Sequence, residues 1–157
     1  NNGRDWMGDT RPPDSLHRAP EPGLDFGFPY CHAGLPDPDL NPGGDCDAYA
    51  PAVAELPAHV APLGMTFVTS GAWPEEFRGA VLMAEHGSWN RSTPVGYRIT
   101  MVRAAAGGEP VYSVFASGWL KDGDAWGRPV DLLELPDGSL LVGDDRAGAL
   151  YRIRYGN

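Results

Sequence analysis

From residue 62 onward the apolar positions fall into short runs, each closed by Gly, Pro or Asp. These runs are Met65–Thr69, Ala80–Ala84, Tyr97–Arg103, Val111–Ala116, Val130–Leu135, Ser139–Gly143 and Ala149–Tyr155. Their length and their turn punctuation predict β-strands joined as antiparallel hairpins. No stretch carries an apolar stripe of 3.6-residue period over three turns, so the reading is all-β, with one helical turn at Pro74–Phe77. Pro136-Asp137-Gly138-Ser139 reads as a tight hairpin turn, with Gly138 supplying the positive φ.

Residues 1–62 look different. Eleven of the 16 prolines lie there, and turn signals crowd together at Arg11–Asp14, Glu21–Gly23, Pro36–Asp39 and Asn41–Gly44. The segment reads as one long loop-rich region. A loop of this length is either functional or packed on a scaffold, and Trp6, Phe26, Phe28 and Tyr30 are expected to pack. Asp37, Asp39, Asp45 and Asp47 lack EF-hand spacing and read as a solvated loop. The expected organisation is therefore a loop-rich segment over 1–62 and a β-region over 63–157.

The β-region repeats internally. Gly79-Ala80-Val81-Leu82-Met83-Ala84-Glu85-His86 aligns with Gly138-Ser139-Leu140-Leu141-Val142-Gly143-Asp144-Asp145, and Tyr97-Arg98-Ile99 aligns with Tyr151-Arg152-Ile153. Two such units, each preceded by a further β-run, predict two successive four-stranded blades of a β-propeller, each burying its face on the next. Gly79 and Tyr97 are 18 residues apart, whereas Gly138 and Tyr151 are 13 apart. The longer loop holds His86, Trp89, Asn90 and Arg91, and insertions of this kind gather on the binding face of a repeat protein. Trp89 is expected to lie buried between blades rather than to stack on a ligand. The adjacent acids Asp144 and Asp145 point to opposite faces of a strand and read as a turn, not as an acid/base dyad.

Charge narrows the function. The chain has 12 basic and 21 acidic residues, a net charge of −9, and Lys121 as its single lysine. That balance argues against non-specific nucleic-acid binding. No apolar run reaches the length of a membrane span. Cys31 and Cys46 fit neither a redox nor a zinc motif. They are either a disulfide that closes the acidic loop or two unpaired thiols; a disulfide would place the protein in the periplasm or outside the cell.

Asn2-Gly3-Arg4-Asp5, Pro13-Asp14 and Asp25-Phe26-Gly27-Phe28-Pro29-Tyr30 resemble the signature of the glucose/sorbosone dehydrogenases, soluble quinoproteins that use pyrroloquinoline quinone. Ala84-Glu85-His86-Gly87-Ser88-Trp89-Asn90-Arg91 and Gly127-Arg128-Pro129-Val130-Asp131 are similar to the sorbosone-dehydrogenase-like branch. The resemblance implies a six-bladed propeller of which this chain is the C-terminal portion, reading as a piece of something longer. It implies that the intact protein moves hydride from an aldose or sorbosone-like sugar to the quinone and then passes electrons to an external acceptor. It implies a calcium ion held by the backbone carbonyls of Gly3 and Arg4, with Asp5 and Asp14 adding negative potential. It places Arg91, Arg128, His86 and Arg4 at the cofactor, where arginine suits a tricarboxylate quinone. None of His17, His32, His59 and His86 matches the family's general base, which is expected upstream; His86 is the one candidate here for a catalytic contact. The rival expectation is a non-catalytic carbohydrate- or protein-binding module, and open blade edges would allow self-association.

Overall fold

The computed structural model describes residues 1–105 and 107–156. Thirteen strands follow in order. The first four are short: β1 (Asp14–Leu16), β2 (Cys31–His32), β3 (Leu35–Pro36) and β4 (Ala54–Leu56). Then come β5 (Pro62–Phe67), β6 (Val81–Glu85), β7 (Arg98–Ala105), β8 (Gly108–Ala116), β9 (Leu120–Lys121), β10 (Asp124–Ala125), β11 (Pro129–Glu134), β12 (Leu140–Asp144) and β13 (Ala149–Ile153). Among the described residues, a single 3-10 turn, Glu75–Phe77, follows Pro74. The protein is all-β, as its periodicity predicts.

The strands β5-β6-β7-β8 form one antiparallel blade, and β11-β12-β13 form a second. All seven predicted runs become these strands, and the repeat maps β6 onto β12 and β7 onto β13. The second blade corrects the expected four strands to three among the described residues.

Alternation within β6 explains how the blades stack. Leu82 and Ala84 point to one face, where they meet Ile99, Met101, Leu132, Leu140 and Val142. Met83 points to the other face and packs with Val102, Leu56 and Val60. The first face joins the two blades; the second docks the early segment onto blade one. Burying a side chain such as Leu82, which is fully enclosed, contributes about 1.5–3 kcal/mol. The blades approach closely at Gly64 of β5, where an added Cβ would stand 2.5 Å from the Asp131 Cα of β11.

The loop-rich early segment carries the four short strands β1 to β4. β1 pairs with β4 across some forty residues (Asp14↔Leu56, Leu16↔Ala54), and β2 pairs with β3. Cys31 and Cys46 form a disulfide. The expected packing of the early aromatics holds only in part: Phe26 is half-buried, but Trp6 is 78% and Phe28 74% exposed. Among the described residues, no helix is long and apolar enough to cross a membrane.

Acid titration will register the hairpin turn. Asp137 accepts hydrogen bonds from the Ser139 hydroxyl and backbone N–H and pairs with Arg152, which together pull its carboxyl down to about 2. A depressed folded-state pKa contributes stability above the unfolded value near 3.8, and that contribution disappears as pH falls toward 2. Urea unfolding of Asp137→Asn between pH 5 and 2.5 will therefore show a shallower loss of stability than the parent. An unchanged slope would remove Asp137 from the account.

Candidate functional site

The repeat brings its own counterparts together. His86 directly follows β6, and Asp145 directly follows β12. His86 Nε2 lies 2.9 Å from Asp145 Oδ2 and 3.0 Å from Oδ1. Arg128, just before β11, places Nε 3.4 Å from Asp145 Oδ1. That is an ion-pair distance without hydrogen-bond geometry: Arg128 Nε is buried and has no hydrogen-bond partner among the described residues. Two nitrogen donors from adjacent blades thus converge on one carboxylate.

The Arg128 backbone is fixed by Asp144. Asp144 is buried, and its Oδ1 accepts hydrogen bonds from the backbone N–H of Arg128, Arg146 and Ala147 while Oδ2 accepts one from the Tyr151 hydroxyl. Burial raises the carboxyl pKa, but the N–H groups of Ala147 and Arg128 with the other donors outweigh it and hold the group below its ordinary range. Gly127 permits this approach, because a Cβ there would sit 2.2 Å from Asp144 Oδ2. Asp144 therefore organises the turn, as its sequence suggests. Asp145 is the residue that sequence reasoning missed; the signal was its alignment with His86.

A second feature lies between the Gly3 loop and the 87–90 loop: a pocket of about 120 Å³ lined by Gly3, Asp5, Asp14, His59, Trp89 and Asn90 among others. Asp14 is 1% exposed and accepts hydrogen bonds from the N–H groups of Gly3 (2.7 Å) and Ala61 (2.8 Å). Burial nevertheless pushes its carboxyl pKa upward. The Asn90 amide donates to Asp5 Oδ1 at 2.8 Å, which fixes its orientation, and its Oδ1 is left buried without a partner among the described residues. His59 Nε2 is 2.9 Å from the Gly8 carbonyl. Trp89, on the pocket lining, meets Trp6 edge to face at 5.2 Å. Trp89 is 68% exposed, which corrects its expected burial between blades.

The remaining candidates stand elsewhere. The Arg4 guanidinium grips buried Asp37 through NH1, at 2.8 and 2.6 Å from its two oxygens, and Asp39 through NH2 at 2.8 Å. His32 also bonds Asp37, at 3.0 Å. Asp37 is held below the usual carboxylate range by Arg4 first and His32 second, so it is not the solvated acid expected from sequence. Arg91 donates to the carbonyls of Thr93 and Ala58, both at 3.2 Å. The Thr93 bond lies within the loop and the Ala58 bond ties it to the segment before β5; neither reaches the second blade.

No group of three or more His, Cys, Asp or Glu side chains among the described residues is arranged to hold a metal. A cation here would rely on backbone and amide oxygens with few carboxylates. That donor set fits calcium, which accepts irregular oxygen ligation, and the orphaned Asn90 oxygen is an available donor.

Stacked antiparallel blades of this kind define a β-propeller architecture. The chain superposes on the calcium structure of the Trichoderma reesei carbohydrate-active enzyme family AA12 domain (TM-score 0.68, 21% identity, 93% of this chain and 44% of that one). It also matches the holo form of the pyranose dehydrogenase PQQ domain of Coprinopsis cinerea (TM-score 0.64, 21% identity, 98% and 48%) and a glucose dehydrogenase (TM-score 0.69, 18% identity, 100% and 40%). Residues 37–155 match the TrAA12-like family model, and the chain belongs to that family. An uncharacterized protein of Borreliella burgdorferi is 41% identical over 160 residues, covering 98% of this chain and 42% of that protein. The chain spans less than half the length of these relatives.

Proposed function

We propose that this chain is the C-terminal portion of a quinone-dependent sugar or aldehyde dehydrogenase that acts in the periplasm or outside the cell. The observation that carries the reading is the convergence of His86 and Arg128 at the tops of adjacent blades, beside a pocket rich in oxygen donors. The disulfide suits an oxidising compartment.

Arg128 and His86 would hold the acidic quinone, and the Gly3 and Arg4 carbonyls with Asn90 Oδ1 would hold calcium. When bound, the quinone supplies hydride acceptance, a step that protein side chains do not perform. The chain's own residues bind and orient. Asp144 fixes the backbone of Arg128, and Asp14 fixes that of Gly3. Arg128 adds positive charge where negative charge develops on an acceptor. Arg4 and Arg91 we assign to holding loops, because their guanidinium groups already serve Asp37, Asp39 and two carbonyls. Asp5 and Asp14 supply the negative potential that favours a cation. The proton acceptor for the sugar hydroxyl we place outside this chain.

Titration of the chain with pyrroloquinoline quinone in the presence of calcium, followed by absorbance, tests the reading. Binding is expected, and Arg128→Ala will weaken it about 10- to 100-fold, the range of a charge-assisted hydrogen bond. Sugar binding without any quinone signal would instead favour the non-catalytic module.

A further inference from the structure

We propose that Asp145 is a built-in competitor: its carboxylate occupies the place where an anionic ligand group would meet Arg128 and His86. The inference rests on the reading of Arg128 given above and adds the regulation of that site.

Three observations converge. His86 Nε2 is within 3.0 Å of both Asp145 oxygens, so Asp145 already takes up the ring N–H that a ligand carboxylate would use. Arg128 Nε faces the same carboxylate at 3.4 Å, buried and without a hydrogen bond. A buried donor left unsatisfied is costly, and a better-placed acceptor would relieve it. Asp145 itself is 44% exposed and Arg128 38% exposed, so the contact is reachable from solvent and the acid is free to turn away. The neighbouring turn is organised by Asp144 rather than Asp145: Asp144 accepts hydrogen bonds from the N–H groups of Arg128, Arg146 and Ala147.

The competition has a sign. A positioning acid would be needed for binding, whereas a competing acid opposes it. Removing one negative charge a few ångströms from an anion in a half-exposed site raises affinity by about tenfold.

Calorimetric titration with two probes tests this: pyrroloquinoline quinone with calcium, and citrate, a tricarboxylate without quinone chemistry. Asp145→Ala and the near-isosteric Asp145→Asn should each bind citrate about tenfold more tightly than the parent. Adding Arg128→Ala to either should cancel the gain. Thermal unfolding of each variant confirms that the fold is intact. Weaker or unchanged citrate binding by Asp145→Asn, or no detectable binding at millimolar citrate, overturns the proposal. Should citrate behave as expected while the quinone does not bind, the anion site stands and the dehydrogenase reading falls.

Discussion

Replacing Glu85 by alanine will lower the unfolding free energy by about 3–5 kcal/mol, the cost of breaking a buried ion pair by removing one partner. Glu85 closes β6 and is fully enclosed. Its Oε2 accepts from Arg98 Nε at 2.8 Å, and its Oε1 accepts from Thr100 Oγ1 at 3.0 Å and from the Tyr112 hydroxyl. Arg98 also reaches the Tyr112 oxygen, at 3.0 Å. Burial opposes the charge on Arg98, but Glu85 outweighs it and the guanidinium pKa is raised. Truncation would strand an arginine, a threonine and a tyrosine across β7 and β8. Glu85→Gln keeps the shape and loses the charge, so its cost should fall between parent and alanine. Urea unfolding measures both; a loss under about 1 kcal/mol for alanine would show that the network is not holding the blade. The same network has an alkaline signature. Burial first, and Glu85 second, push the Tyr112 hydroxyl above its ordinary 10. The unfolded chain therefore releases that proton first, and stability falls as pH rises past about 10.

Loss of the Cys31–Cys46 disulfide, by reduction or by serine at both positions, will cost about 3 kcal/mol, as expected for freeing a loop of this length in the unfolded chain. The local consequence is more specific. The loop between these cysteines carries Asp37 and Asp39, the two acids that grip Arg4. Arg4 adjoins Gly3, which lines the oxygen-rich pocket. Reduction should therefore expose residues 31–46 to limited proteolysis and lower the thermal midpoint together. An unchanged midpoint in reductant would mean that Arg4, His32 and Asp37 hold the loop unaided.

The blades were legible in the sequence because β6, β7, β11, β12 and β13 are local runs bounded by turns, and because the chain repeats. The disulfide was legible only as one of two alternatives. The early segment was harder. β1 and β4 are three residues each and pair across the whole loop-rich region, so neither shows a period of its own. Asp37 read as solvated because its partner Arg4 lies 33 positions upstream. Trp89 reads as buried because large aromatics usually are, yet it lines a pocket, exposed, in contact with Trp6. Asp145 was hidden for a different reason: strand geometry correctly rejected it as a dyad with Asp144 and said nothing about the neighbouring blade.

The pairing of His86 with Asp145 bears on how repeated units find their places. The two blades descend along the same sequence pattern, and at the equivalent strand end one carries an imidazole and the other a carboxylate. Two identical copies would set like groups side by side at this point. The difference at this position makes the contact specific to the junction of blade one with blade two. Duplicating either unit beside itself would lose this contact while leaving the strands of each blade as they are.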